Sequence, residues 1–260
     1  MAKKQEQHQV NTPEVHPGLI TREELPDYLQ GKDGFGSENV KLRNLTVPRL
    51  QIIQALSPQV DEANAAYIHG AKVGDIFNTL TKDLYGTTIY FVDAFFREEW
   101  MVAVPQNEGG GGGRGFRGIY TESVEAKDHL QRNPKNEKLE IVELGVHYGL
   151  LLDEDRKIIT MIAFPMKSSQ LKVSRQLVGF QKQKGGPIWA AVWRFDSISE
   201  TNQAGKPYKN YKLTPVAGFT PKAVAEAAEK LWKDVAGSKL TMDTADLTSE
   251  EDTSTTEERF

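Results

Sequence analysis

The sequence predicts a mainly β fold with helical insertions, most simply an OB-like, partly open barrel. Three observations lead there. Roughly six to eight short segments rich in β-branched and aromatic residues lie between Gly, Pro and Asn turn signals. Helical patterns are few, and strand and helix do not alternate regularly, which argues against a doubly wound parallel sheet. The 260 residues suffice to bury a sizeable core and show no internal repeat. A β-sandwich would satisfy the same pattern.

Residues 1–40 read as a loosely ordered N-terminal arm, punctuated by Pro13, Pro17, Pro26, Gly18, Gly31, Gly34 and Gly36. Residues 41–240 form the OB-like domain. Within it, Val47 to Ile53 is apolar-periodic but short, and Ser57-Pro58 starts a turn or short helix. Gly74-Asp75 turns into the apolar pair Ile76-Phe77. Thr87 to Val92 is a strand, and Phe95 to Val104 a second, stopped by Pro105. Five glycines, Gly109 to Gly113, followed by Arg114-Gly115-Phe116-Arg117-Gly118, support no regular element. Val124 to Leu130 suits a short helix. Leu139 to Leu152 and Lys157 to Phe164 are two apolar runs around Asp153-Glu154-Asp155, hence paired strands with an acidic turn.

Ser168 to Gln183 is an amphipathic helix with Leu171, Ser174, Leu177 and Val178 on its inner side and basic residues outside. Gly185-Gly186-Pro187 ends it. Ile188 to Phe195 reads as a strand with Trp189, Trp193 and Phe195 on one side. Tyr208 to Leu213 is the last strand. Thr220 caps a final helix with Pro221 in its first position, an apolar stripe of Val224, Ala228, Leu231, Trp232 and Val235, and Gly237 as its stop. Residues 241–260 are a disordered acidic tail.

The chemistry of catalysis is sparse. There is no cysteine, so neither a disulfide framework nor a thiolate metal site can form. His8, His16, His69, His129 and His147 lack metal-ligand spacing, and the glycine-rich stretch lacks the Gly-Lys-Ser/Thr ending of a phosphate loop. Ser168-Ser169 lacks a glycine-framed nucleophile elbow. The expectation is no enzyme activity, no cofactor and no metal. No apolar run approaches the ~18 residues of a membrane helix, and no signal core opens the chain, so a cytoplasmic location is expected.

Charge is more informative. The net charge is -4, but the acids from Asp243 onward outnumber the single base Arg259 and leave the body mildly basic. No Asp or Glu occurs from Arg156 to Phe195. That window holds Arg156, Lys157, Lys167, Lys172, Arg175, Lys182, Lys184 and Arg194, and Lys206, Lys209 and Lys212 follow. Concentrated positive potential suits an anionic partner, and equally a basic face that balances an acidic neighbour such as the tail. Single-strand binding needs cations for phosphates and flat faces for bases. Arg114, Arg117, Lys167, Lys172, Arg175, Lys182, Lys184, Arg194, Lys206, Lys209 and Lys212 are the candidate phosphate contacts. Tyr208 and Tyr211 are the candidate stacking rings, because amphipathic rings tolerate exposure. Trp189, Trp193 and Phe195 alternate along a strand, the pattern of core residues.

A basic body followed by an acidic tail ending in an aromatic resembles the single-stranded DNA-binding proteins of tailed bacteriophages and of bacteria. The matching residues are Glu250, Glu251, Asp252, Glu257, Glu258 and Phe260, with Arg259 interrupting the run. Met161 to Arg175 is also similar to stretches of uncharacterised phage proteins. The resemblance implies an OB-fold body that coats single-stranded DNA during replication and recombination. It implies a tail that contacts replication or recombination proteins, competes with DNA for the basic face, and a homodimer as one expected state. The alternatives are a single-strand annealing recombination protein and a non-enzymatic virion or structural interaction protein.

Overall fold

The computed structural model describes residues 47–105, 116–133, 138–202, 204–236 and 242. The N-terminal arm, the glycine run with Arg114, and the tail beyond Met242 lie outside the described residues.

The architecture is mainly β with helical insertions, an open OB-like fold. Six strands form one antiparallel sheet: β3 (Thr88–Ala103), β4 (Phe116–Tyr120), β5 (Glu140–Leu152), β6 (Ile158–Lys167), β7 (Trp193–Thr201) and β8 (Pro207–Pro215). Their order is β6-β5-β3-β7-β8, with β4 also paired to β3. A separate pair, β1 (Leu50–Ile52) and β2 (Ile76–Asn78), lies beside it. Three helices complete the chain: α1 (Ser123–Arg132), α2 (Leu171–Lys184) and α3 (Lys222–Ala236).

The two strands expected over 87–104 are one. Asp93-Ala94 between them does not break the strand, because a bulge between Asp93 and Phe95 absorbs the change of pattern. On one side β3 pairs with β5 over its length. On the other, among the described residues, it pairs with β7 over Thr88–Phe91 and with β4 over Trp100–Ala103, and its middle has no neighbouring strand there. At Gly149 a side chain is impossible without rearrangement: a Cβ would overlap the Val92 carbonyl oxygen and the Phe91 ring.

Strand alternation divides the core in two. One side of the sheet buries Phe91, Phe164, Trp193, Phe195 and Tyr211 with Leu50, Ile52, Val173 and Leu177. The other buries Val92, Val146, Tyr148 and Leu150 beneath Val224, Ala228, Leu231 and Val235 of α3. Here Tyr148 donates to Glu99 Oε1 at 2.9 Å and accepts from Arg97 at 3.0 Å, and Arg97 pairs with Glu99. The Phe164 ring on edge strand β6 meets the Tyr211 ring on edge strand β8, although the two strands share no ladder among the described residues. The sheet therefore stays open, and its two edges meet through side chains, not through backbone pairing.

Three expectations about elements change. Ile188 to Phe195 is not one strand: Ile188–Ala190 is a 3-10 turn after Pro187, and β7 starts at Trp193. Trp189 thereby leaves the side of Trp193 and Phe195 and packs against Trp232. In α2 the fully buried residues are Val173, Ser174, Leu177 and Gln181, so the inner face is rotated from the apolar count because two polar side chains bond inside. In α3, Val224, Ala228, Leu231 and Val235 are buried as expected, whereas Trp232 stays 39 % exposed.

Candidate nucleic-acid interface

The outer face of α2 is the strongest charged feature. The helix carries Lys172, Arg175, Lys182 and Lys184, all exposed, and no acid. The helix is about 21 Å long, and Lys172, Arg175 and Lys182 form a basic rail over about 15 Å of one face, with Lys184 at the end of the helix. Lys182 and Lys184 sit in the last turn, where they also complement the helix dipole. Arg175 reaches Glu143 at 3.1 Å, an exposed pair of small energetic weight.

The other candidates distribute as follows. Lys206 and Lys212 are exposed on β8 and the turn before it. Lys209 donates from Nζ to Ser199 at 2.8 Å, and its backbone is clipped by the Gln54 side chain. Arg194 pairs with Asp196, which holds the guanidinium pKa above its ordinary value through that hydrogen bond. Lys167 and Arg117 are half-buried, and Arg117 donates to the Phe116 carbonyl. Arg156 is engaged too: its guanidinium lies 3.6 Å from the centre of the Tyr90 ring. The acid-free window therefore does not line one trough. Its cations divide between α2, the β5–β6 turn, the end of β6 and β7.

The stacking candidates separate. Tyr208 is half-buried and donates to Glu200 at 2.6 Å, a bond that lifts its phenol pKa and lowers that of Glu200. Tyr211 is a correction. It is 3 % exposed and packed edge-on to Phe164 and Phe195, so its ring is not available to a base. Its place on the core side of β8 comes from period-two alternation, which the neighbouring lysines mask in the sequence.

The exposed rings lie elsewhere. Phe180, Phe219 and Trp232 are exposed, Phe219 by 80 %. Lys184 donates to the Gly218 carbonyl at 2.8 Å and holds its ammonium 4.9 Å from the centre of the Phe219 ring. Next to this end of α2 is a cleft of about 380 Å³ between β3, the Gly186–Trp189 turn and α3. Of these exposed rings, only Phe180 falls within the acid-free window. Trp232 was concealed by its place in an otherwise regular apolar stripe.

A buried polar chain also escaped the sequence reading. His147 Nδ1 lies 2.7 Å from Asp93 Oδ2, and His147 Nε2 lies 2.8 Å from Ser174 Oγ. Gln181 donates to the same Asp93 oxygen at 2.8 Å. With Nδ1 protonated, the ring donates to Asp93 and accepts from the Ser174 hydroxyl. The order resembles an acid–base–nucleophile relay. Yet Ser174 is 2 % exposed and packed onto Gly145, and Phe96 covers the imidazole with 4.8 Å between ring centres. The chain ties α2 to β3 and β5 and so fixes the basic rail on the sheet. No local motif signals it, because its members are 27 and 54 residues apart.

A family model described as Pam3 phage gp34-like protein matches residues 20–241. The chain belongs to this family. No curated protein and no solved structure matches it. The span of the gp34-like match takes in every element that carries the basic rail, the exposed rings and the buried chain, and it stops before Met242. No helix among the described residues is long and apolar enough to cross a membrane.

Proposed function

We propose that this gp34-like chain binds single-stranded DNA without sequence specificity, as a phage protein acting in replication and recombination in the host cytoplasm. The observation that carries the reading is α2: four exposed cations, no acid, and exposed aromatic rings at its end. Such a rail follows a phosphate backbone, and the rings offer faces to unstacked bases. The acidic tail with Phe260 would contact replication partners and compete for the same cations.

Titration of a labelled oligonucleotide at two salt concentrations tests it. Binding should weaken with salt along a log–log slope of about -0.7 for each phosphate engaged. No binding at low salt up to a concentration of ~10 µM, far above the range of specific complexes, would end the proposal.

A further inference from the structure

The cleft beside α2 sits in a break in the sheet. Among the described residues, β3 has no strand beside it between Phe91 and Trp100 on the β7/β4 side. After the bulge at Asp93/Phe95, strand alternation sends two consecutive rings to opposite faces of the sheet. Phe95 lies near Tyr148 at 6.5 Å between ring centres, and Phe96 near His147. The opposite wall is Trp189 and Trp232, 5.6 Å apart and tilted by 39°. All four rings line the cleft. Gly185 and Gly186, at φ 73° and 78°, make the turn that swings Trp189 there, a conformation that side chains rarely adopt.

We infer that this cleft is a pocket for one unstacked base of a bound single strand. The inference rests on the functional reading above and names the site where a base is held. Its volume of about 380 Å³ is within the ~300–1,000 Å³ of small-ligand pockets. Its walls are flat and aromatic, which suits any base by its face. Two cations lie close by in the chain: Lys184, anchored beside Phe219, and exposed Lys182 stand in the last turn of α2, two and four residues before Gly186 of the cleft. An apolar peptide side chain would have no use for those ammonium groups, whereas the phosphates on either side of an inserted base would. The site is outside the core cluster that Phe164, Phe195 and Tyr211 fill.

The test compares the full-length protein with its Trp232→Ala and Trp232→Phe variants on oligo(dT) and on an abasic strand of equal length. Trp232 is partly exposed, so both variants should fold, checked by circular dichroism. Trp232→Ala should weaken oligo(dT) binding roughly five- to a hundredfold, leave abasic binding unchanged, and be largely rescued by Trp232→Phe. Photocrosslinking of wild type to a 5-iododeoxyuridine strand should mark Phe95, Phe96, Trp189 or Trp232. Strong binding with crosslinks only elsewhere, or an equal loss on both strands, overturns the pocket and leaves the DNA-binding reading intact. Absence of binding by wild type to either strand removes both.

Discussion

The Phe164 ring on β6 stands 4.9 Å from the Tyr211 ring on β8 at 87°. This edge-to-face contact joins the two edges of an open sheet, where backbone pairing is absent among the described residues. Removing the ring should therefore loosen the fold and not the DNA surface. Tyr211→Ala is expected to cost about 3–5 kcal/mol, as for a large buried aromatic. Tyr211→Phe keeps the contact and should leave oligonucleotide affinity at the wild-type value. Chemical denaturation and a binding isotherm check the two variants.

The buried chain through His147 should behave as a structural tie. Asp93→Ala leaves the His147 ring and the Gln181 amide without their shared acceptor, and about 3–5 kcal/mol should be lost. Ser174→Ala removes one neutral hydrogen bond and should cost about 1–3 kcal/mol. Hydrogen exchange would locate the effect: amides of α2 should lose protection before those of α3.

The α2 cations should act additively and without regard to base sequence. Lys172→Ala and Lys182→Ala should each reduce the magnitude of the salt slope by about 0.7, with stability unchanged. The comparison is between affinities measured over a range of salt for each variant. An undiminished slope in the double variant would place the phosphates elsewhere.

Stability should fall at both extremes of pH. Burial, reinforced by the Glu99 carboxylate, pushes the Tyr148 phenol up, and burial alone raises Tyr211. Both stay protonated in the fold where an unfolded tyrosine, at 10.0, ionises. Their contribution is full below that pH and declines as pH rises above it. On the acid side, the Asp196 carboxyl is held low despite its partial burial by Arg194 and Thr88, and that of Glu200 by Tyr208 and Asn210. Their contribution is present above the ordinary carboxylate range and lost as pH falls through it. Denaturant midpoints at pH 3, 7 and 11 should be highest at 7, within the usual window of about 5–8.

Gly149 tests the crowding between the two longest strands. Gly149→Ala drives a methyl into the Val92 carbonyl and the Phe91 ring and should destabilise by more than the ~1–3 kcal/mol of ordinary overpacking. Gly179 faces open space, and Gly179→Ala should stabilise α2 slightly, by about 0.5–1 kcal/mol. Thermal melts of both variants give the comparison.

The sequence alone determined the β class, the β5–β6 hairpin, α3 with its buried stripe, and the basic outer side of α2. These follow from local periodicity and from charge, which a linear chain displays. Tertiary structure decided the rest. A bulge joined two apparent strands and opened the sheet beside Phe95 and Phe96. Side-chain alternation sent Tyr211 into the core while its lysine neighbours pointed to solvent. The turn at Gly185-Gly186 carried Trp189 away from Trp193 and onto Trp232. Asp93, His147 and Ser174 met only because β3, β5 and α2 stack. Local pattern sets which face of an element is apolar, but only the packing of distant elements decides which faces are covered, and so which rings and cations remain for a ligand.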